Sequence, residues 1–163
     1  MRNLLAQGNA NPIYGVLGPR RPEAYHLTHP PAPPAWVLGP YQTNIGGCDR
    51  IQPYDLILEL LDKYAARGSV VFEGVIISDN WGRVGAWLSK RSDSAIVFLD
   101  TPVSQCIGSV MARTAGAGLA NVERRARVIE RVRAKVVVEG KVRVIGAGRD
   151  TALSVIMGLL GWI

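Results

Sequence analysis

The sequence predicts an α/β protein in which a mostly parallel sheet is flanked by helices. Three observations carry this reading. From residue 53 onward, strand-like and helix-like segments alternate. The run 95-AIVFLD-100 is continuously apolar, as parallel strands covered on both faces are. In 53-PYDLILELLDKYAARG-68, Ile57, Leu60, Leu61 and Tyr64 fall at i, i+3, i+4 and i+7, the stripe of an amphipathic helix. With 163 residues, 48% hydrophobic and 20% charged, the chain has the size and composition of one soluble domain spanning residues 1–163.

The elements follow in order. Residues 1–8 read as the end of a helix closed by Gly8. Residues 19–40 are proline-rich, with 24-AYHLT-28 and 35-AWVLG-39 as short strand-like runs either side of HPPAPP; this predicts an irregular hairpin inserted as a surface excursion. Pro53 opens the helix that Gly68 closes, and 69-SVVFEGVIIS-78 reads as the next strand. Asn80 is a cap for a short helix over 81–91, and Pro102 stands where a helix over 103–114 begins. Asn121 is a cap for the basic helix 122–136, which Gly140 ends. A last strand, 141–146, precedes a final helix from Asp150.

The formal net charge of +6 and a pI near 9.7 favour an anionic partner. Cys48 and Cys106 have neither metal-ligand nor CxxC spacing, which reads as two reduced thiols in a cytoplasmic protein. The N-terminal apolar patch is too short for a signal-peptide core, and 152-ALSVIMGLLGWI-163 is too short to span a bilayer. The tail reads as a docking helix ahead of an interfacial membrane helix, since it lacks a basic face. His26 and His29 flank the prolines without a Cys or acid cluster, so no metal site is expected there.

Ligands of open α/β sheets bind beyond the carboxyl ends of the strands, which singles out two acids. Glu73, inside VVFEGVIIS, is a carboxylate in a run that reads as buried, and an ionised carboxylate there needs a partner or a metal. It reads either as a ligand to Mg²⁺ or a hydroxyl, or as the partner of a nearby arginine. Asp100, ending AIVFLD, reads either as a site residue or as the cap of the following helix. Arg113 precedes AGAGLA, and Arg124, Arg125 and Arg127 follow it, an arrangement that can close forked donors over phosphates. The same charges fit a solvated helix face with Glu123 to Arg127 pairing at i,i+4. In 45-IGGCDR-50, Gly46 and Gly47 permit close backbone approach and Asp49 can accept hydrogen bonds, although a simple turn uses the same residues.

Taken together, RRPEAYHL, LGPYQTNIGGCD, VVFEGVIIS and FLDTPVSQCIGSVMAR resemble a group of phage and bacterial P-loop proteins, the thymidylate-kinase-like nucleotide kinases, over most of the chain. That resemblance implies a P-loop NTPase-like fold with ATP and Mg²⁺ as cofactors and a nucleoside, nucleotide or similar small molecule as acceptor. Glu73 falls on the metal-side or catalytic position. Asp100 lies near the nucleotide. Arg113, Arg124 and Arg125 belong to a LID-like segment over 113–125, and Gly46, Gly47, Asp49 and Arg83 face the acceptor.

The departure from the family is at the phosphate cradle. No GxxxxGK(S/T) occurs; GVLGPRR at 15–21 has glycines but no Lys-Ser/Thr. In the family that motif precedes a helix similar to MRNLLAQ. The resemblance therefore implies that the first strand and P-loop, about fifteen residues, lie upstream of a misassigned start or have been lost. As written, the chain is expected to bind ATP weakly or not at all, and TAGAGLA supplies no charge. The alternatives are a non-catalytic assembly protein on a degenerate kinase fold, with a possible homo-oligomer, and a nucleic-acid binder built on the basic helix. Nucleic acid is the less expected partner, because no aromatic residues interleave with those basic residues. No membrane partner is expected, and a phage-encoded protein would work in the host cytoplasm.

Overall fold

The structure, a computed structural model, describes residues 1–43, 46–114 and 119–163, the side chains of 113, 114, 119 and 120 excepted. In chain order the elements are α1 (Arg2–Gln7), β1 (Asn11–Gly15), β2 (Gly18–Leu27), β3 (Ala35–Leu38), a 3-10 turn (Gly47–Arg50), α2 (Tyr54–Ala65), β4 (Ser69–Val71), α3 (Val75–Asp79), α4 (Trp81–Leu88), β5 (Ala95–Leu99), α5 (Val103–Thr114), α6 (Leu119–Glu139), β6 (Arg143–Ala147) and α7 (Ala152–Leu159). They divide into two compact units, Met1–Ile77 with Leu153–Ile163, and Ser78–Ala152.

The first unit holds a mixed four-stranded sheet in the order β1-β2-β3-β4. β1, β2 and β3 pair antiparallel, and β3 pairs parallel with β4 through Ala35 with Ser69, Trp36 with Val70 and Val37 with Val71. The proline-rich segment thus forms the predicted hairpin, but its far strand is no surface excursion. Ala35, Trp36, Val37 and Leu38 are all buried, because β3 lies inside the sheet with a partner on each side. The α2 stripe is buried as its spacing predicts, Ile57, Leu60, Leu61 and Tyr64 each contributing roughly 1.5–3 kcal/mol.

The stretch 69–78 is not one strand. β4 stops at Val71, Gly74 takes φ +158°, and Val75–Asp79 is helical. A short β-branched run is ambiguous between strand and helix by periodicity alone. Here Asp49 contributes: its Oδ1 accepts the Ile76 amide in the first turn of α3 at 2.8 Å.

The tail docks as a helix. Leu153, Ile156, Met157, Leu160 and Trp162 pack on a core of Leu4, Leu27, Ala35, Val37 and Tyr41. The Trp162 indole donates to the Pro33 carbonyl at 3.3 Å and lies flat on the His29 ring, with centroids 4.9 Å apart. His26 packs against Trp36, so both histidines are ring contacts of this core. Among the described residues no helix is long and apolar enough to cross a membrane.

In the second unit β5 and β6 form a two-stranded parallel sheet, in register from Ala95 with Arg143 to Leu99 with Ala147. Only Phe98 of β5 is buried, so the expectation of a strand covered on both faces is not met within this unit. α6 begins before Asn121, which lies inside the helix, where its side-chain oxygen accepts from Arg124 and Arg125. Asn80 is the N-cap of α4 by position, with its carbonyl accepting the Arg83 and Val84 amides.

Candidate functional site

The first unit brings four of the predicted residues together. Glu73 stands two residues beyond the end of β4, at the carboxyl edge of a parallel pair. It is exposed and makes no ion pair among the described residues. The expected charge inside a buried strand is therefore corrected: the strand ends before the acid, which meets water and so escapes the desolvation cost. The 3-10 turn folds back onto it, the Cys48 amide donating to the Glu73 carbonyl at 2.8 Å and the Gly47 amide to the Pro40 carbonyl at 3.1 Å.

Both glycines of GGCD are required by this approach. Gly47 takes φ +71°, and a Cβ there would meet the Glu73 carbonyl oxygen at 2.7 Å and the Tyr41 hydroxyl at 3.0 Å. A Cβ at Gly46 would meet the Tyr41 ring at 2.7 Å. Asp49 holds the start of α3 through Oδ1, a structural role that the sequence did not separate from acceptor binding.

Tyr41 completes the cluster and was not singled out from the sequence. Its side chain is 8% exposed, its ring leans on Tyr25, and its hydroxyl is buried without a hydrogen-bond partner. Burial pushes the phenol far above its ordinary range, and the Glu73 charge adds to this, followed by Cys48, the Glu73 carboxylate as a side-chain acceptor, and Asp49. The Glu73 carboxylate is thus the acceptor that the phenol faces. The phenol is therefore placed to donate toward that carboxylate or toward a group beside it. The available signal was an aromatic hydroxyl next to the glycine pair in GPYQTNIGG. Cys48, fully buried beside them, has its thiol pushed up by burial, then by the Asp49 and Glu73 charges.

A second carboxylate also went unremarked. Glu23 of β2 is completely buried and accepts from the Val16 amide at 2.8 Å, the Tyr64 hydroxyl at 2.6 Å and the Lys63 ammonium. Burial raises its pKa, but the Lys63, Tyr64 and Val16 hydrogen bonds outweigh that and hold it low. It ties the β1–β2 turn to α2. Its side-chain partners Lys63 and Tyr64 are about 40 residues away, so no local pattern announces it.

The remaining predicted residues belong to the second unit. Asp100 does not cap α5; its Oδ1 lies 2.6 Å from Nη1 of Arg133, and its amide donates to the Ala147 carbonyl. Arg125 reaches Asp79 at 3.4 Å. Arg124 is exposed and donates to Asn121, and Arg83 is exposed on α4. The Arg113 side chain and most of the expected LID loop, 115–118, lie outside the described residues. Among the described residues no group of three or more His, Cys, Asp or Glu side chains converges on a metal position. A lone carboxylate such as Glu73 fits Mg²⁺ only where phosphates and water supply the other ligands.

These features define an α/β chain with a solvated carboxylate past the end of a parallel strand, faced by a glycine-rich turn and an unpartnered phenol. Two phage proteins are similar to it. It is 38% identical over 95 residues to a 5-hmdU DNA kinase of Pseudomonas phage PaMx11, covering 58% of this chain and 50% of that protein. It is 28% identical over 115 residues to a 5-hmdU DNA kinase of Pseudomonas phage M6, covering 64% and 62%. The chain thus spans between about half and three-fifths of the length of these relatives. No family model and no solved structure matches it. The kinase and phage parts of the resemblance are supported by these relatives, whereas the expectation that nucleic acid is not a partner is not, since both are named for DNA.

Proposed function

We propose that this chain carries the acceptor side of an ATP-dependent kinase whose substrate is 5-hydroxymethyluracil within DNA. The single observation that carries the reading is the pairing of an exposed carboxylate, Glu73, with the buried unpartnered hydroxyl of Tyr41 across Gly47. The names of the two phage relatives support it. A hydroxymethyl group needs one acceptor for its proton and one donor for its oxygen lone pair, and the carboxylate and phenol supply one of each.

In the reaction, Glu73 accepts the proton as the substrate oxygen forms its bond to the γ-phosphorus, while the bond from that phosphorus to the bridging oxygen breaks and ADP departs. Tyr41 orients the nucleophilic oxygen. Mg²⁺ with ATP supplies charge neutralisation on the transferred phosphoryl group. Glu73 is the protein carboxylate that can help hold the ion. The P-loop NTPase-like fold belongs to this proposal.

The test isolates the acceptor side. The chain should bind a 5-hmdU oligonucleotide at least about tenfold more tightly than its thymine counterpart, because hydrogen bonds involving a charged group contribute roughly 1.5–3 kcal/mol. Glu73→Gln and Tyr41→Phe should each remove most of that preference. Equal affinity of the wild-type chain for both oligonucleotides would overturn the reading.

A further inference from the structure

We propose that one face of α6 is a docking surface for the sugar–phosphate backbone of DNA. This rests on the reading of a DNA-linked acceptor, but not on which base is modified. Along Leu119–Glu139 stand six basic residues, Arg124, Arg125, Arg127, Arg131, Arg133 and Lys135. Two turn back onto their own unit and are one-third exposed: Arg125 pairs with Asp79 at 3.4 Å, and Arg133 with Asp100 at 2.6 Å.

Arg127, Arg131 and Lys135 do the opposite. All three are exposed, and they fall at i, i+4 and i+8, so the row drifts only about 80° around the helix over about 12 Å. Arg124 falls within the same arc. The expected Glu123–Arg127 pair does not form; among the described residues neither Arg127 nor Arg131 has an ion pair, and Lys135 meets only Glu139, at 3.7 Å.

The row borders an open groove of about 390 Å³ lined by Arg131, Lys135, Val128, Val132, Trp81 and Asp79. Asp79 is engaged by Arg125, so the acid in the groove is already countered. Trp81, largely buried, closes that groove beneath the basic row, which the linear sequence does not show because 50 residues separate Trp81 from Arg131. A row of cations about 12 Å long matches the axial rise of three to four phosphates on one strand, and so fits a polyanion better than a single nucleotide.

Fluorescence anisotropy of the 163-residue chain with a labelled thymine duplex and its 5-hmdU counterpart, between 50 and 200 mM KCl, tests this on about the range where counterion release dominates. For the thymine duplex, Arg127→Gln/Arg131→Gln/Lys135→Gln should make the slope of log affinity against log salt shallower by about 3 and weaken binding at least about tenfold at the lower salt. Arg127→Lys/Arg131→Lys, which keeps the charge, should retain the wild-type slope. All three positions are exposed, so thermal melting should be unchanged and a lost slope cannot be attributed to unfolding. An unaltered slope in the triple variant, or no binding by the wild type, overturns the proposal. The ratio of 5-hmdU to thymine affinity reports the Glu73 and Tyr41 reading separately. A ratio of one with a slope still lost in the triple variant sinks that reading and supports the docking face.

Discussion

Arg133 Nη1 lies 2.6 Å from Asp100 Oδ1, joining the middle of α6 to the end of β5. The guanidinium also sits over the Phe98 ring at 5.6 Å. The pair is partly solvated, the two side chains being 32% and 45% exposed, so water screens most of its attraction. A double-mutant cycle with Arg133→Ala and Asp100→Asn, followed by urea denaturation, should give a coupling of about 0.5–1 kcal/mol. A coupling near zero would mean that the contact carries no stability.

Tyr41→Phe should separate stability from function. The hydroxyl is buried without a partner, so removing it should leave stability unchanged or raise it by up to about 1 kcal/mol, while the preference for the hydroxymethylated base falls. A destabilisation of about 2 kcal/mol or more in thermal melts would instead identify that hydroxyl as a bonded structural group.

Glu23 should make the fold sensitive to acid. Its pKa is held below the ordinary carboxylate value of 4.5 by Lys63, Tyr64 and the Val16 amide acting against burial. The unfolded chain therefore binds its proton first as the pH drops. The stabilisation is complete above pH 4.5 and declines as the pH falls through the lowered native value. Chemical denaturation from pH 7 to pH 3 should show this loss, and Glu23→Gln should flatten that part of the profile. Glu23→Ala, which strands the buried Tyr64 hydroxyl, should cost about 2–4 kcal/mol.

The two thiols should differ in reactivity. Cys48 is fully buried with its pKa raised, whereas Cys106 is partly exposed on α5. At pH 8 a thiol-reactive dye should label Cys106 in the native protein and Cys48 only after denaturation. Rapid modification of both would contradict the packing around the 3-10 turn.

Much of the fold was legible because it depends on local periodicity. The α2 stripe, the α1 stop at Gly8, the α6 stop at Gly140 and the docking tail follow from apolar spacing and from glycine where a helix must end. The errors fall where a distant group overrides a local pattern. VIIS has strand composition, but the Asp49 carboxylate, 27 residues away, caps it as a helix. The prolines around AWVL look like surface, but a partner strand on each side buries it.

The candidate site divides in the same way. By itself, the sequence singled out the Glu73 carboxylate in a strand-like run and two adjacent glycines that permit close backbone approach, because strand composition and glycine backbones are local properties. Only the tertiary structure decided that Glu73 is solvated, that Tyr41 stands beside it with an unpartnered hydroxyl, and that Asp100 is held by Arg133. These are outcomes of chain segments about 30 residues apart meeting in space, where desolvation and hydrogen bonding depend on the neighbours and not on the residue alone.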